Sequence, residues 1–260
     1  MRAESRTPGI KLAPALMLLA LSAILAACAA TESSLPPKIA LLAPFEGQYR
    51  EIGYNALYAL RLAFADAEPS NTQLLAVDDG GTVASAIARI KALNMDPAVE
   101  AIIALGPAAT HPAVQMANDL PLVLIGNWGH DRADEDAIYA ANPDLAQALQ
   151  SGDFMALFQT VDLWSDLDAV TFASSGSLPN AAFRERFLDS APYAPPPNLL
   201  ATVTYDIARM ALQALAAKEA LAKTSIQGMY ATISFKDGYW TNAPVKQYRY
   251  EGDQLVQVAA

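Results

Sequence analysis

Lys38-Ile39-Ala40-Leu41-Leu42-Ala43-Pro44 is the stretch that decides the fold. Its apolar core is unbroken, too short for a self-sufficient helix, and ended by a proline, as a strand is. A strand that is apolar toward both faces belongs in a sheet covered on both sides, which is the setting of parallel sheets. The residues that follow repeat the pattern. Leu57, Leu60 and Phe64 mark a helix over 54–66. Residues 73–77 form a second buried strand, closed by the turn signal Asp78-Asp79-Gly80-Gly81. Thr82 is placed to cap a helix whose apolar face is Val83, Ile87 and Ile90. Strands at 101–105 and 122–125 flank a short helix at 110–119. This alternation predicts an α/β fold with a parallel sheet and helices on both faces.

Beyond Trp128 the pattern thins. Residues 129–136 read as a charged loop, Ile138-Tyr139 as a short fifth strand, and 143–158 as a helix interrupted at Ser151-Gly152-Asp153. A strand at 169–173 leads through Ser174-Ser175-Gly176-Ser177 to a helix over 179–188. Residues 191–198 carry four prolines and read as a linker. A long helix over 199–218 presents Val203, Ile207, Met210, Ala211 and Ala214 on one face. In the tail, Tyr248 and Tyr250 alternate with Gln247 and Arg249, and Gly252-Asp253 turns the chain into 255–258, an antiparallel pattern.

The N-terminus says where the protein is expected to reside. Arg2, Arg6 and Lys11 precede the apolar run 12–27, which is shorter than the roughly 20 residues of a membrane span and ends in small residues, as signal peptides do. Leu25-Ala26-Ala27-Cys28 resembles the lipobox of bacterial lipoproteins, which implies acylation of Cys28 as the mature N-terminus. Cys28 is the sole cysteine of the 260-residue chain and has no intrachain disulfide partner. Cleavage before it removes three cations and Glu4, taking the formal charge from −10 to −12. So acidic a chain disfavours nucleic acid and anionic lipid, so membrane association is expected through acyl chains. Residues 28–37 read as a polar, Pro-ended tether.

The opening, Lys38-Ile-Ala-Leu-Leu-Ala-Pro-Phe-Glu-Gly47-Gln-Tyr49 followed by Gly53 and an Ala-rich helix, resembles that of type 1 periplasmic binding proteins. These include the leucine/isoleucine/valine-type solute receptors of ABC importers. Ala101 to Pro107 and Pro121 to Gly126 resemble the family's third and fourth strands with their cleft loops. Phe183-Arg-Glu-Arg-Phe187, the Pro-rich linker and Tyr205-Asp206-Ile-Ala-Arg-Met resemble its late segment. Phe235-Lys-Asp-Gly238 and the strand 245–250 resemble its terminal crossing into the second lobe. The resemblance implies a first lobe of 38–140 plus 195–232 and a second of 141–194 plus 233–260. That second lobe is reduced: the interval available to it, about 50 residues, holds one or two βα units of about 30 residues each.

In open α/β sheets ligands meet the carboxyl ends of strands, where helix N-termini offer unpaired N–H groups. Gly106-Pro107-Ala108-Ala109-Thr110-His111 is such a loop, and it resembles the family's carboxylate-binding turn. Thr110 with the N–H groups of Ala108 and Ala109 is a candidate anion or carbonyl site; equally, Thr110 serves simply as a helix cap ahead of Pro112. Asn127 and Trp128, between Gly126 and Gly129, offer an amide and an aromatic wall, unless the indole packs over the sheet edge. Gln48 and Tyr49 in the first loop line the same cleft or lie on the surface. His111, His130, Asp131, Asp134, Glu135 and Asp136 match no zinc or EF-hand spacing, so no metal is expected. The chain lacks a Gly-x-Ser-x-Gly elbow, a Walker loop and a dinucleotide fingerprint, so neither an enzyme nor a cofactor is expected. The expectation is a lipid-anchored envelope receptor for a small polar solute, such as an amino acid, feeding an ABC permease. The alternative is a scaffold of the same fold that binds an envelope protein partner, as regulators of peptidoglycan synthases do.

Overall fold

Strand β1 (Lys38–Ala43) is flanked in parallel by β2 (Gln73–Asp78) and β3 (Val99–Leu105). In the computed structural model, which describes residues 35–67, 69–126, 137–142, 171–252 and 254–258, β1 is an inner strand of a seven-stranded sheet. The order is β2-β1-β3-β4-β5-β10-β9, with β4 at Leu122–Ile125, β5 at Ile138–Ala140, β9 at Phe235–Lys236 and β10 at Tyr239–Trp240. All neighbours from β2 to β10 pair in parallel; β9 turns back antiparallel on β10.

The unbroken apolar run of β1 is explained by its two cores. Alternate side chains of a strand point to opposite faces. Ile39, Leu41 and Ala43 join helices α1 (Arg50–Asp66) and α5 (Leu199–Ala217) in one buried cluster. Ala40 and Leu42 join α2 (Val83–Asn94) and Val114 of the short helix α3 (Pro112–Gln115) in the other. The expected parallel sheet, covered on both faces, is therefore present.

Three boundaries differ from the sequence reading. Helix α1 begins at Arg50 and not near Tyr54, behind a 3-10 turn at Gly47–Tyr49. Its first turn carries Arg50 and Glu51 and no side-chain cap, so neither periodicity nor capping announces it. Thr82 does cap α2, accepting the Ser85 N–H at 3.2 Å. Helix α3 is shorter than 110–119, and its cap is His111, whose Nδ1 accepts the Ala113 N–H at 3.1 Å. Asp237-Gly238, both with positive φ, form a two-residue hairpin turn. The hairpin folds β9 and β10 onto the main sheet, so the chain leaves that sheet after Trp240 and not at Phe235.

A second, antiparallel sheet joins β6 (Thr171–Ser174), β11 (Lys246–Glu251) and β12 (Gln254–Gln257) in the order β12-β11-β6. The tail hairpin is as expected. Phe172, Tyr248 and Leu199 form its buried core. Helix α4 (Ala181–Asp189) is capped by Asn180, and α5 by Asn198, whose Oδ1 accepts the N–H groups of Leu200 and Ala201. A small hairpin, β7 (Ile226–Gln227) and β8 (Thr232–Ile233), packs beside α5. The expected loop at 129–136 and helix at 143–158 lie outside the described residues, as do Cys28 and most of the tether.

Candidate functional site

From β1 the chain moves to β2 on one side and then to β3 on the other. That reversal opens a crevice at the carboxyl ends of β1 and β3, the general ligand position of open α/β sheets. Parallel pairing brings the loops after β1, β2 and β3, and the end of β4, to this one rim. Pro44 leads into the Gly47–Tyr49 turn, and Gly106 ends β3 with φ +97°. A Cβ on Gly106 would stand 2.8 Å from Pro44 Cδ, so only glycine lets the first and third loops close up.

Two adjacent carboxylates knit the rim. Asp78 Oδ1 accepts the Phe45 N–H at 2.7 Å, and its Oδ2 accepts the Gly80 N–H at 2.8 Å. Asp79 is almost fully buried and accepts the N–H groups of Gly81, at 2.7 Å, and of Ala109. It thus ties the β2 loop to the β3 loop. Burial, with the neighbouring Asp78 charge, pushes the Asp79 carboxyl above its ordinary value, against the two N–H bonds.

This shift has a sign. A carboxyl raised in the folded state binds its proton more tightly there than in the unfolded chain, so the ionised form costs stability above the unfolded value. Stability is expected to rise as pH falls from neutrality toward about 4. Asp206, likewise raised by burial, adds in the same direction. Asp79→Asn is expected to flatten the dependence, read as denaturant midpoints at about pH 5 and pH 7. An equal slope in variant and parent would count against this account.

The site residues expected from sequence fall as follows. Gln48 and Tyr49 sit in the first loop, Gln48 exposed and Tyr49 half-buried against the core. Ala108, Ala109 and Thr110 are all buried in the third loop. The Thr110 hydroxyl donates to the Gly106 carbonyl at 2.8 Å, and its carbonyl accepts Gln115 Nε2 at 2.6 Å. Thr110 therefore braces the loop from within, one residue ahead of the actual helix cap. These five residues share the rim; Asn127 and Trp128 follow Gly126 at the end of β4 and lie outside the described residues.

The second sheet attaches at the same rim. Asn198 N–H donates to Oδ1 of Asn55, in the second turn of α1, which places the start of α5 near the carboxyl end of β1. Gly176, just past β6, packs on the backbone of Leu199. The Tyr248 hydroxyl donates to the Gly176 carbonyl at 2.9 Å. Asp206, about two turns further along α5, accepts the Met229 N–H at 2.8 Å and faces Arg209 at 3.4 Å. In the sequence Asp79 reads only as part of a turn; its long-range bond to Ala109 has no local signature.

No protein-family model matches the chain, and no curated protein matches its sequence. Solved structures share its fold. An extracellular ligand binding receptor from Desulfohalobium retbaense aligns with TM-score 0.62 at 14% identity, over 86% of this chain and 59% of that one. A possible leucine/isoleucine/valine-binding protein from Rhodopirellula baltica aligns with TM-score 0.60 at 14% identity, over 88% of this chain and 98% of that one. An ABC transporter solute binding protein from R. palustris, in complex with benzoate, gives 0.59 at 12% identity, over 85% and 95%. The chain thus has the α/β fold of a type 1 periplasmic binding protein lobe, and it spans 59% of the Desulfohalobium receptor.

Proposed function

We propose that this chain is a lipid-anchored, extracytoplasmic solute-binding protein. Its cargo is a small polar solute, such as an amino acid, handed to an ABC importer. The observation that carries this reading is the rim itself. Loops from β1, β2 and β3 converge there, locked by Asp78, Asp79 and Gly106, and the second sheet is tied to the start of α5 through Gly176 and Leu199. The structures of like fold include solute-binding proteins, one of them holding benzoate. In this reading the second lobe, whose described strands are β6, β11 and β12, is a reduced one, and discrimination comes from the crevice with no chemistry done on the solute. Residues 1–27 are the signal peptide and Cys28 carries the lipid.

The test is a thermal-shift screen of the protein against branched-chain amino acids, other amino acids, benzoates, purines and sugars. A solute at 100-fold excess over its dissociation constant stabilises the native state by about 2.7 kcal/mol. A shift confined to one chemical class is expected; a cooperative melt that no compound moves would sink solute binding. Anchoring is checked separately: Cys28→Ala should abolish lipid labelling and release the protein from membranes.

One observation favours a second reading. The Ala109 N–H and the Thr110 hydroxyl, the expected ligand donors, already bond to Asp79 and Gly106. A scaffold that binds an envelope protein, for example a regulator of peptidoglycan synthesis, would need no free donors there. It predicts a stable partner recovered from membranes and no solute in the screen.

A further inference from the structure

Lys246 stands apart from the other partly buried cations of the described residues. Lys38, Arg186 and Arg209 pair with Asp96, Asp66 and Asp206. Among the described residues no carboxylate pairs with Lys246. It opens β11 opposite Ser174 of β6, on the same face as the buried Tyr248 two residues on. Its Nζ donates to Ser177 Oγ at 2.6 Å and stands 5.1 Å from the centre of the Tyr230 ring.

The surroundings are rigid. The Ser177 carbonyl accepts the Thr202 hydroxyl at 3.0 Å, which pins the loop to the first turns of α5. The Tyr230 hydroxyl accepts the Asn180 N–H at 2.9 Å and donates to the Leu178 carbonyl at 2.8 Å. Ser175, in the same loop, has a buried hydroxyl with no hydrogen-bond partner among the described residues. Burial also holds the Lys246 ammonium below its ordinary pKa, as expected where no anion offsets desolvation. An ammonium has three donors, and Ser177 takes one.

We propose that Lys246, with the Ser177 hydroxyl and the Tyr230 ring beside it, forms an anion subsite between the small sheet, the start of α5 and the β7–β8 hairpin that takes the carboxylate of a small organic acid. One cation balances one negative charge; a phosphate dianion would leave an excess in a chain already at −10. The aromatic ring next to the ammonium suits the apolar body of such an acid. The inference rests on the solute-binding reading above. It goes further by putting the acid group at Lys246 and not at the turn after β3, whose donors are engaged internally.

The full-length protein is titrated with benzoate, 4-hydroxybenzoate and L-leucine, with benzamide as the neutral counterpart. Affinities are measured by calorimetry, and lysine acetylation by acetic anhydride is mapped by mass spectrometry. At least one acid should protect Lys246 selectively, and benzamide should not. Lys246→Met should weaken that acid about tenfold, the scale of one lost charged hydrogen bond, and Lys246→Arg should retain it. An acid that binds without protecting Lys246, with unchanged affinity in Lys246→Met, makes Lys246 a structural prop and leaves solute binding standing. If nothing binds and nothing protects, the subsite falls, and the solute-binding reading falls with it only where the wider thermal-shift screen is also silent. The labelling uses the parent protein, so it decides the matter even where a variant does not fold.

Discussion

Gly53→Ala is expected to destabilise the protein by about 2–3 kcal/mol, although alanine is the better helix former by about 1 kcal/mol. Gly53 lies in the first turns of α1, buried where the helix crosses the end of β1. A Cβ there would fall 1.8 Å from the Pro44 carbonyl oxygen and 2.7 Å from its carbon. Both atoms are backbone, so no rotamer change relieves the clash; α1 or the first loop must move. Pro44 in turn packs under Gly106, so the displacement reaches the third loop. Urea titration checks it: a midpoint that stays or rises in Gly53→Ala would show that the helix does not sit this close.

Tyr248→Ala is expected to cost about 4 kcal/mol, within the usual span for a fully buried large aromatic. Among the described residues the buried cluster of the small sheet is Phe172, Leu199 and Tyr248, flanked by partly buried Leu178, Tyr250 and Leu255. Truncating one of three leaves the layer without a centre and also frees the Gly176 carbonyl. The amides of β6, β11 and β12 should then exchange quickly while those of β1 and β3 stay protected. Tyr248→Phe, which keeps the ring, should cost about 1 kcal/mol. Protection of β11 unchanged in Tyr248→Ala would mean that the small sheet is held by something other than this core.

The main sheet was readable because its inner strands are buried on both faces, which leaves unbroken apolar runs such as Ile39 to Ala43 and Leu122 to Ile125; β2, expected to be buried, is an edge strand with no fully buried residue. The tail hairpin was readable for the opposite reason, since one face is wet and Tyr248 alternates with polar neighbours. What escaped depends on contacts distant in sequence or on unusual local chemistry. A histidine nitrogen as helix cap at His111 lies outside the common Ser/Thr/Asp/Asn set. The Asp79 bond to Ala109 and the Lys246 contacts with Ser177 and Tyr230 join segments that no local pattern links. Asp237-Gly238 is a hairpin signal in its own right, yet the resemblance to a lobe crossing draws the reading away from it.

Leu199 is the first residue of α5 and also a third of the small sheet's core, while the rest of that helix lies against α1 and the main sheet. One rod is thus bolted into both bodies. Swinging the sheets apart as two free shells would drag Leu199 out from beside Phe172 and Tyr248 and wet all three. Separating the small sheet from α5 is accordingly opposed by the burial of these three side chains.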